Sequence, residues 1–329
     1  MSKDLAEKVP TSDSLKIGDW VRVRGAEQIE KTLVDGRLDG LPFMPEMVAY
    51  CDCSFRIKRF ATKVCVNGAS IEICSLENCV ILQMQNRCDG SHHGNCDMGC
   101  DFIWKLDWLI QLEQPPVAES EPSAPPAPSE FLSRLVQIST CGDMANGNLN
   151  RDEQSARFCC QATELTHATS RLSPLQFKQY VTDSKLNNVS KFAIGKFIAS
   201  VLIKKITKQS DSLAGPCRGR TPASKPLNVG DRVQIKSLEE IRLTLDEGGC
   251  NRGLWFDPKE MAAFCGQELI VSRKIERLID ERTGELKVLK TPSYVLSETE
   301  CSGIFRRFCS RGMLHFWREI WLTKTGSES

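Results

Sequence analysis

The chain has 329 residues, which is enough for two or three domains, and its 41% hydrophobic and 26% charged residues are ordinary for a globular protein. Its 43 Lys and Arg residues nearly balance its 42 Asp and Glu residues, and the formal net charge of +1 argues against a nucleic-acid or membrane surface covering the whole molecule. The charge is uneven, because residues 131–225 contain 14 basic and 6 acidic residues, a local net charge of +8.

The chain contains 16 cysteines. Its first residues, MSKDLAEKVPTSDSLK, include no apolar signal-peptide stretch, so we expect a cytoplasmic protein. In a reducing compartment a cluster of cysteines more often indicates metal binding or catalysis than disulfide bonding.

Residues 16–112 resemble residues 227–324, and we predict that each forms one module of an internal repeat. KIGDWVRVRGAEQIEKTL (16–33) pairs with NVGDRVQIKSLEEIRLTL (228–245). GLPFMPEMVAYC (40–51) pairs with GLWFDPKEMAAFC (253–265), and FIWKLDWL (102–109) pairs with HFWREIWL (315–322). The order is the same in both copies, and the spacing is nearly the same.

Each copy opens with Gly-Asp-x-Val-x-(Val/Ile)-(Arg/Lys), a turn leading into an alternating strand that is typical of SH3-like barrels. We therefore predict an α+β fold with two small SH3-like β-barrel modules flanking a helical middle segment. We expect the closing tryptophans to fill the two cores, with ligand stacking as the alternative; they are Trp104, Trp108, Trp317 and Trp321.

Between the modules the composition changes twice. Residues 113–130 (EQPPVAESEPSAPPAPSE) form a Pro/Ala/Ser-rich linker, and residues 210–226 form a Gly/Pro/Ser-rich loop. We predict a basic helical segment over 131–209, with helices at 151–172 and 190–208. The second helix is apolar for much of its length but interrupted by Lys196. We interpret it as a buried helix, with a peripheral membrane contact as the alternative.

The stretch RCDGSHHGNCDMGC (87–100) combines thiol and imidazole groups at a spacing typical of zinc sites. The predicted ligands are Cys88, His93, Cys96 and Cys100. His92 is the alternative imidazole, but His-x-x-Cys-x-x-x-Cys favours His93. Three glycines in the stretch give the backbone freedom to wrap around an ion.

The second module serves as an internal control for this prediction. When the copies are aligned on their tryptophans, Cys88 and Cys96 fall on Cys301 and Cys309. The other two predicted ligands, His93 and Cys100, fall on Arg306 and Met313 instead. The second site is thus degenerate, and we expect only the first module to bind metal. Cysteines can also recur as small buried hydrophobic residues, as the aligned pair Cys51 and Cys265 illustrates. Three further cysteines of the first module are additional candidate ligands: Cys65, Cys74 and Cys79.

Two family resemblances involve this stretch. CDGSH (88–92) matches the end of the CDGSH iron–sulfur family's motif, in which the Cys and His ligate a [2Fe–2S] cluster. That family also has a Cys-x-Cys pair shortly upstream, whereas the pair here, Cys51 and Cys53, lies far upstream. We keep an iron–sulfur cluster as the alternative to zinc.

The chain as a whole resembles an uncharacterised bacterial family. The resemblance rests on CDGSHHGNCDMGC (88–100), CQATEL (160–165) and WREIWL (317–322). It implies that His93 is the motif histidine and that the protein serves a biosynthetic pathway, but it implies no reaction.

CCQATELTH (159–167) contains the candidate catalytic residues Cys160 and Glu164. On a helix, Cys160, Glu164 and His167 would share one face, although a thiol and an imidazole seven residues apart are about 10 Å apart, too far for a hydrogen bond. Glu164 is therefore the better candidate, as a general base for a metal-bound water. The alternative is an ordinary amphipathic helix.

Two functions are consistent with these patterns. The first is a zinc-binding tandem-barrel accessory or scaffold protein, and the second is a metal-dependent enzyme with the Cys/His site and Glu164 in an interdomain cleft. Whether the protein is an enzyme stays open, because a zinc ion with four protein ligands has no free position. Neither module is basic, which argues against nucleic acid as a partner. The sequence identifies no protein or small-molecule partner.

Overall fold

We analysed a computed structural model that describes residues 9–67, 71–116, 128–141, 156–207 and 213–325. The chain divides into two compact units. The first unit contains residues 1–196, 279–287 and 306–311, and the second contains the rest. Two short pieces of the C-terminal third, 279–287 and 306–311, thus belong to the first unit.

The first 116 residues form short strands joined by tight turns. A five-stranded antiparallel sheet has the order β8-β7-β4-β1-β9, and β12, β6 and β5 form a three-stranded sheet. The elements are β1 Trp20–Val23, α1 Ala26–Glu30, β2 Arg37–Leu38, β3 Leu41–Pro42, a 3₁₀ helix Pro45–Tyr50, β4 Ser54–Phe60, β5 Lys63–Asn67, β6 Ile71–Ser75, β7 Cys79–Gln83, β8 Ile103–Lys105, a 3₁₀ turn Leu106–Trp108 and β9 Leu109–Gln111.

The middle segment is a mixture of helices and short strands. Ser129 begins α2 by accepting a hydrogen bond from the Leu132 amide at 3.1 Å, and α2 buries Phe131 and Leu135, one helical turn apart. The elements are α2 Glu130–Ser139, β10 Thr140–Cys141, β11 Arg157–Phe158, α3 Gln161–Ala168, β12 Ser170–Arg171, α4 Lys178–Lys185 and α5 Lys191–Thr207.

The C-terminal third contains a four-stranded antiparallel sheet of order β17-β16-β13-β18. Its elements are β13 Arg232–Ile235, α6 Leu238–Arg242, β14 Cys250–Asn251, β15 Leu254–Trp255, α7 Pro258–Met261, a 3₁₀ turn Ala262–Phe264, β16 Glu268–Ile279, β17 Leu286–Leu296, a 3₁₀ turn Ile304–Arg306, a 3₁₀ turn Glu319–Trp321 and β18 Leu322–Lys324.

The predicted mixture of helices with antiparallel sheets is therefore correct. In the described residues each sheet is open, with an edge strand on either side. The structure does not display the closed barrels that the SH3-like prediction implies.

All four closing tryptophans are fully buried, which confirms the prediction that they fill the cores. In the first unit the ring of Phe43 meets Trp104 and Trp108 edge-on, with ring centroids 6.1 and 5.1 Å apart. In the second unit Phe256 meets Trp321 edge-on at 5.4 Å. Aromatic packing thus anchors the end of each module.

The helix predicted over 151–172 is wrong in its extent. Within the described residues, 157–158 form β11 and 170–171 form β12, which leaves α3 over Gln161–Ala168. Residues 151–155 lie outside the described part, as does most of the predicted linker 113–130. The edge of β6 explains the early end of α3, because Ser170 and Arg171 pair with Ser75 and Cys74.

The helix predicted over 190–208 is confirmed as α5. In the described part of the chain, no helix is both long enough and apolar enough to cross a membrane. The interpretation of this helix as buried is wrong for residues 191–199, whose side chains are all exposed or half-buried, including the apolar Phe192 and Ile198.

Candidate metal centre

The loop at residues 88–100 folds back on itself within the first unit. Its backbone hydrogen bonds join the Cys88 amide to the Cys100 carbonyl at 3.0 Å and the His93 amide to the Gly90 carbonyl at 2.8 Å. Gly90, Gly94 and Gly99 all have positive φ, as the sequence predicted for a backbone that turns this tightly. We call residues 88–100 the cysteine loop.

The cysteine loop borders a small cavity of about 40 Å³, which residues of other segments also line. Three predicted ligands, Cys88, Cys96 and Cys100, line this cavity, and so does Cys160 from the N-terminus of α3. His93 also borders it. The structure thus brings together the three predicted thiols and one of the two candidate catalytic residues.

These four cysteines are free thiols, whereas the neighbouring Cys159 is disulfide-bonded. Burial raises the pKa of Cys96 and Cys160 to about 11 and that of Cys100 to about 12. Burial likewise raises the pKa of Cys88 well above its ordinary value. Without a cation these groups are therefore neutral thiols near pH 7.

His93 is buried, and both of its ring nitrogens have neighbours. Nδ1 lies 2.7 Å from Glu46 Oε1, which also accepts a hydrogen bond from the His92 amide at 3.1 Å. Nε2 lies 3.4 Å from the Cys159 carbonyl oxygen. The second Glu46 oxygen, Oε2, is buried and finds no donor in the described part of the chain.

Glu164 lies on α3, four residues after Cys160. Its carboxylate forms a partly buried ion pair with Arg37, and Glu164 is not among the residues that line the cavity. The third residue of the proposed helical face, His167, is exposed. Cys160, Glu164 and His167 thus have different surroundings: Cys160 borders the cavity, Glu164 pairs with Arg37 and His167 is exposed.

The additional candidate cysteines occupy other places in the first unit. The Cys65 amide donates a hydrogen bond to Cys309 Sγ at 3.0 Å. The hydrogen bond from the Cys309 thiol lowers the pKa of Cys65 to about 6. Cys74 and Cys79 are buried in the main core. None of these four borders the cavity.

Sequence reasoning missed two residues of the site, Glu46 and Gln161. The buried side chain of Gln161 accepts a hydrogen bond from the Ile103 amide at 2.9 Å and donates to the Ile103 carbonyl at 2.8 Å, which fastens the start of α3 to β8. The signal for Glu46 was an acidic residue in the short helical turn of both copies, PEM and PKEM. No comparable signal marked Gln161.

Across residues 9–67, 71–116, 128–141, 156–207 and 213–325, no three His, Cys, Asp or Glu side chains already stand close enough together to hold a metal ion. Cys88, Cys96, Cys100 and Cys160 nevertheless border one cavity. No protein-family model matches the chain, and no curated protein sequence matches it.

Proposed function

We propose that this protein binds zinc in the first unit and acts as an accessory or scaffold protein, serving a biosynthetic pathway as the resemblance implies. The supporting observation is that Cys88, Cys96 and Cys100 border one buried cavity together with His93. Thiolate and imidazole ligands are those that zinc takes in structural sites. Three glycines with positive φ, Gly90, Gly94 and Gly99, give the loop that carries these cysteines its tight turns.

The proposal includes two SH3-like modules related by the internal repeat. Both copies have the order strand, short helix, two-strand hairpin, helical turn and long strand, in β1 to β4 and again in β13 to β16. We also propose a cytoplasmic location, which the fourteen free cysteines of the described residues support.

A metal titration with circular dichroism tests the proposal. The metal-free protein in reductant gains thermal stability when one equivalent of zinc is added, because binding favours the folded state. The variant Cys96→Ser gains much less, and Cys74→Ser, which alters a buried cysteine outside the cavity, responds like the wild type. A zinc response that is equal in all three proteins refutes the proposal.

The alternative is a metal-dependent enzyme that uses the Cys/His site with Glu164 as general base. One observation favours it, namely that Cys160 borders the same cavity as the cysteine loop. Glu164 itself is engaged by Arg37. A variant Arg37→Met frees that carboxylate. It should therefore change the turnover of any zinc-dependent reaction that Glu164 catalyses, whereas a scaffold protein shows no turnover to change.

A further inference from the structure

Cys160 borders the same cavity as the predicted ligands of the cysteine loop. It lies sixty residues beyond the cysteine loop, at the residue that precedes α3. Its side chain is buried against the same cavity as Cys88, Cys96 and Cys100. Four thiols from two separate parts of the chain therefore face one small space.

His93 also borders the cavity, and both of its ring nitrogens lie near oxygen atoms. Nδ1 lies 2.7 Å from Glu46 Oε1, and Nε2 lies 3.4 Å from the Cys159 carbonyl oxygen. The short contact with Glu46 orients the ring, and Nε2, the nitrogen left for a metal, faces the Cys159 carbonyl.

Backbone amides act on three of the four thiols and lower their pKa, against the larger effect of burial. These amides are those of Gly90 for Cys88, of Met98 and Ile279 for Cys96, and of Ala162 and Thr163 for Cys160. In each case one donor lies two residues after the cysteine. Such donors orient thiolates and offset their negative charge in metal sites.

The fourth sulfur atom has cationic neighbours instead. The positive charges of Arg311 and Arg87 act on Cys100, while Glu281 acts in the opposite sense. Arg311 is buried and belongs to the piece 306–311 that the first unit includes. Burial nevertheless outweighs these effects and raises the pKa of all four thiols.

We propose that Cys160 is the fourth zinc ligand, completing a Cys₄ site with Cys88, Cys96 and Cys100, and that His93 with Glu46 supports the site from outside. This inference rests on the proposed zinc binding and specifies its ligand set. Four thiolates leave no open position, so the ion is structural and the scaffold function is favoured over catalysis. The zinc ion then fastens α3 to the cysteine loop.

X-ray absorption at the zinc edge of the wild-type protein tests this assignment directly. Zinc–sulfur bonds of about 2.3 Å differ measurably from zinc–nitrogen bonds of about 2.0–2.1 Å. We expect four sulfur neighbours and no nitrogen neighbour. Three sulfur atoms and one nitrogen atom would overturn the assignment of Cys160 while leaving the proposed zinc binding intact. No zinc bound at all would refute the proposed function itself.

Two matched variants provide the second measurement, by competition with a chromogenic chelator. His93→Gln keeps one zinc and four sulfur neighbours, with affinity reduced by about 10–100-fold as expected for a supporting residue. Cys160→Ser loses one sulfur neighbour and loses more affinity than His93→Gln does, whereas the control Cys74→Ser binds like the wild type. Wild-type affinity in Cys160→Ser together with lost binding in His93→Gln overturns the inference.

Discussion

Gly90 has less steric freedom than Gly94, another glycine of the cysteine loop. Its φ is +67°, and a Cβ atom added there would lie 2.3 Å from the Cys96 carbonyl oxygen and 2.6 Å from the Cys96 nitrogen. Backbone atoms cannot swing aside as the end of a side chain can. The fold of the cysteine loop therefore depends on the absence of a side chain at this position.

We predict that Gly90→Ala lowers the free energy of unfolding by about 2–4 kcal/mol, through left-handed strain and displacement of Cys96. The matched control is Gly253→Ala, because Gly253 has φ +79° but no atom within 4 Å of the added Cβ. It should cost only about 1 kcal/mol. Urea unfolding of both variants measures the difference, and equal losses would contradict the close packing of Gly90 on Cys96.

Cys79 allows a pH prediction that is independent of any metal. Burial raises the pKa of Cys79 from 9.0 to about 12, and its thiol donates a hydrogen bond to the Glu77 carbonyl at 3.1 Å. Above pH 9 the unfolded chain releases the thiol proton while the folded chain keeps it. The folded state then binds more protons, so the stability present below pH 9 is lost as pH rises.

We predict that the free energy of unfolding falls between pH 9 and 11, with Cys79 contributing up to about 1.4 kcal/mol per pH unit. Cys79→Val removes this share because valine does not titrate. Urea unfolding in reductant across pH 8–11 compares the two slopes. Parallel curves for wild type and variant would show that Cys79 does not keep its proton in the folded state.

The residues of the candidate site were only partly predictable. Cys88, Cys96 and Cys100 could be predicted as ligands because they are close in sequence and their thiol groups bind zinc. Cys160 was predicted as a candidate catalytic residue rather than a metal ligand, because no local sequence pattern shows that the start of α3 lies beside residues 88–100. Glu46 was missed because its role depends on a buried partner, His93, that is 47 residues away.

At the scale of elements, the piece 306–311 contributes a buried ion pair to the first unit. Arg311 donates to Glu281 through both terminal nitrogens, at 3.0 and 2.6 Å, and one nitrogen also donates to the Cys65 carbonyl at 3.0 Å. Glu281 in turn accepts from Asn67 at 2.7 Å. This network joins the 306–311 piece, the 279–287 piece and β5.

We predict that Arg311→Met lowers the free energy of unfolding by about 3–5 kcal/mol, because it leaves the buried Glu281 charge without its partner. The control is Arg157→Met, which removes an exposed ion pair with Glu285 and should cost about 0–1 kcal/mol. Chemical denaturation measures both losses. A loss for Arg311→Met no larger than that of the control would show that the pair does not hold these pieces together.

The elements themselves show how far sequence patterns reach. The strand that follows each Gly-Asp turn and the long helix at 191–207 were predictable, because alternation and helix-forming residues act locally. The short strands β11 and β12 were not, because β12 pairs with the distant β6, and β11 pairs with β10 and forms a bridge to Glu285. Within the range 151–172 that was predicted as a helix, these long-range hydrogen bonds form short strands instead.

At the scale of the whole molecule, the internal repeat predicted two modules, and the structure divides into two units with other boundaries. The first unit extends to residue 196 and includes residues 279–287 and 306–311. The sequence similarity of the two copies predicts that they share a fold. The boundaries of the compact units depend instead on contacts made by residues that differ between the copies. Arg311 and Glu281 are such residues, and no sequence alignment could assign them to the first unit.

The zinc proposal also belongs to this scale, since the site fastens a loop of the first module to a helix of the middle segment. If the ion is structural, its removal with a chelator should expose both segments together. The site then accounts for the gathering of cysteines without requiring a reaction.

The most direct test is the metal content of wild-type protein and Cys96→Ser, both purified without added metal and measured by mass spectrometry with an absorption spectrum. We predict about one zinc per chain in the wild type, a loss of zinc in the variant and no visible absorption bands. Visible iron–sulfur bands would replace zinc with the alternative cofactor. No metal in either protein would contradict the central claim and make these cysteines ordinary core residues.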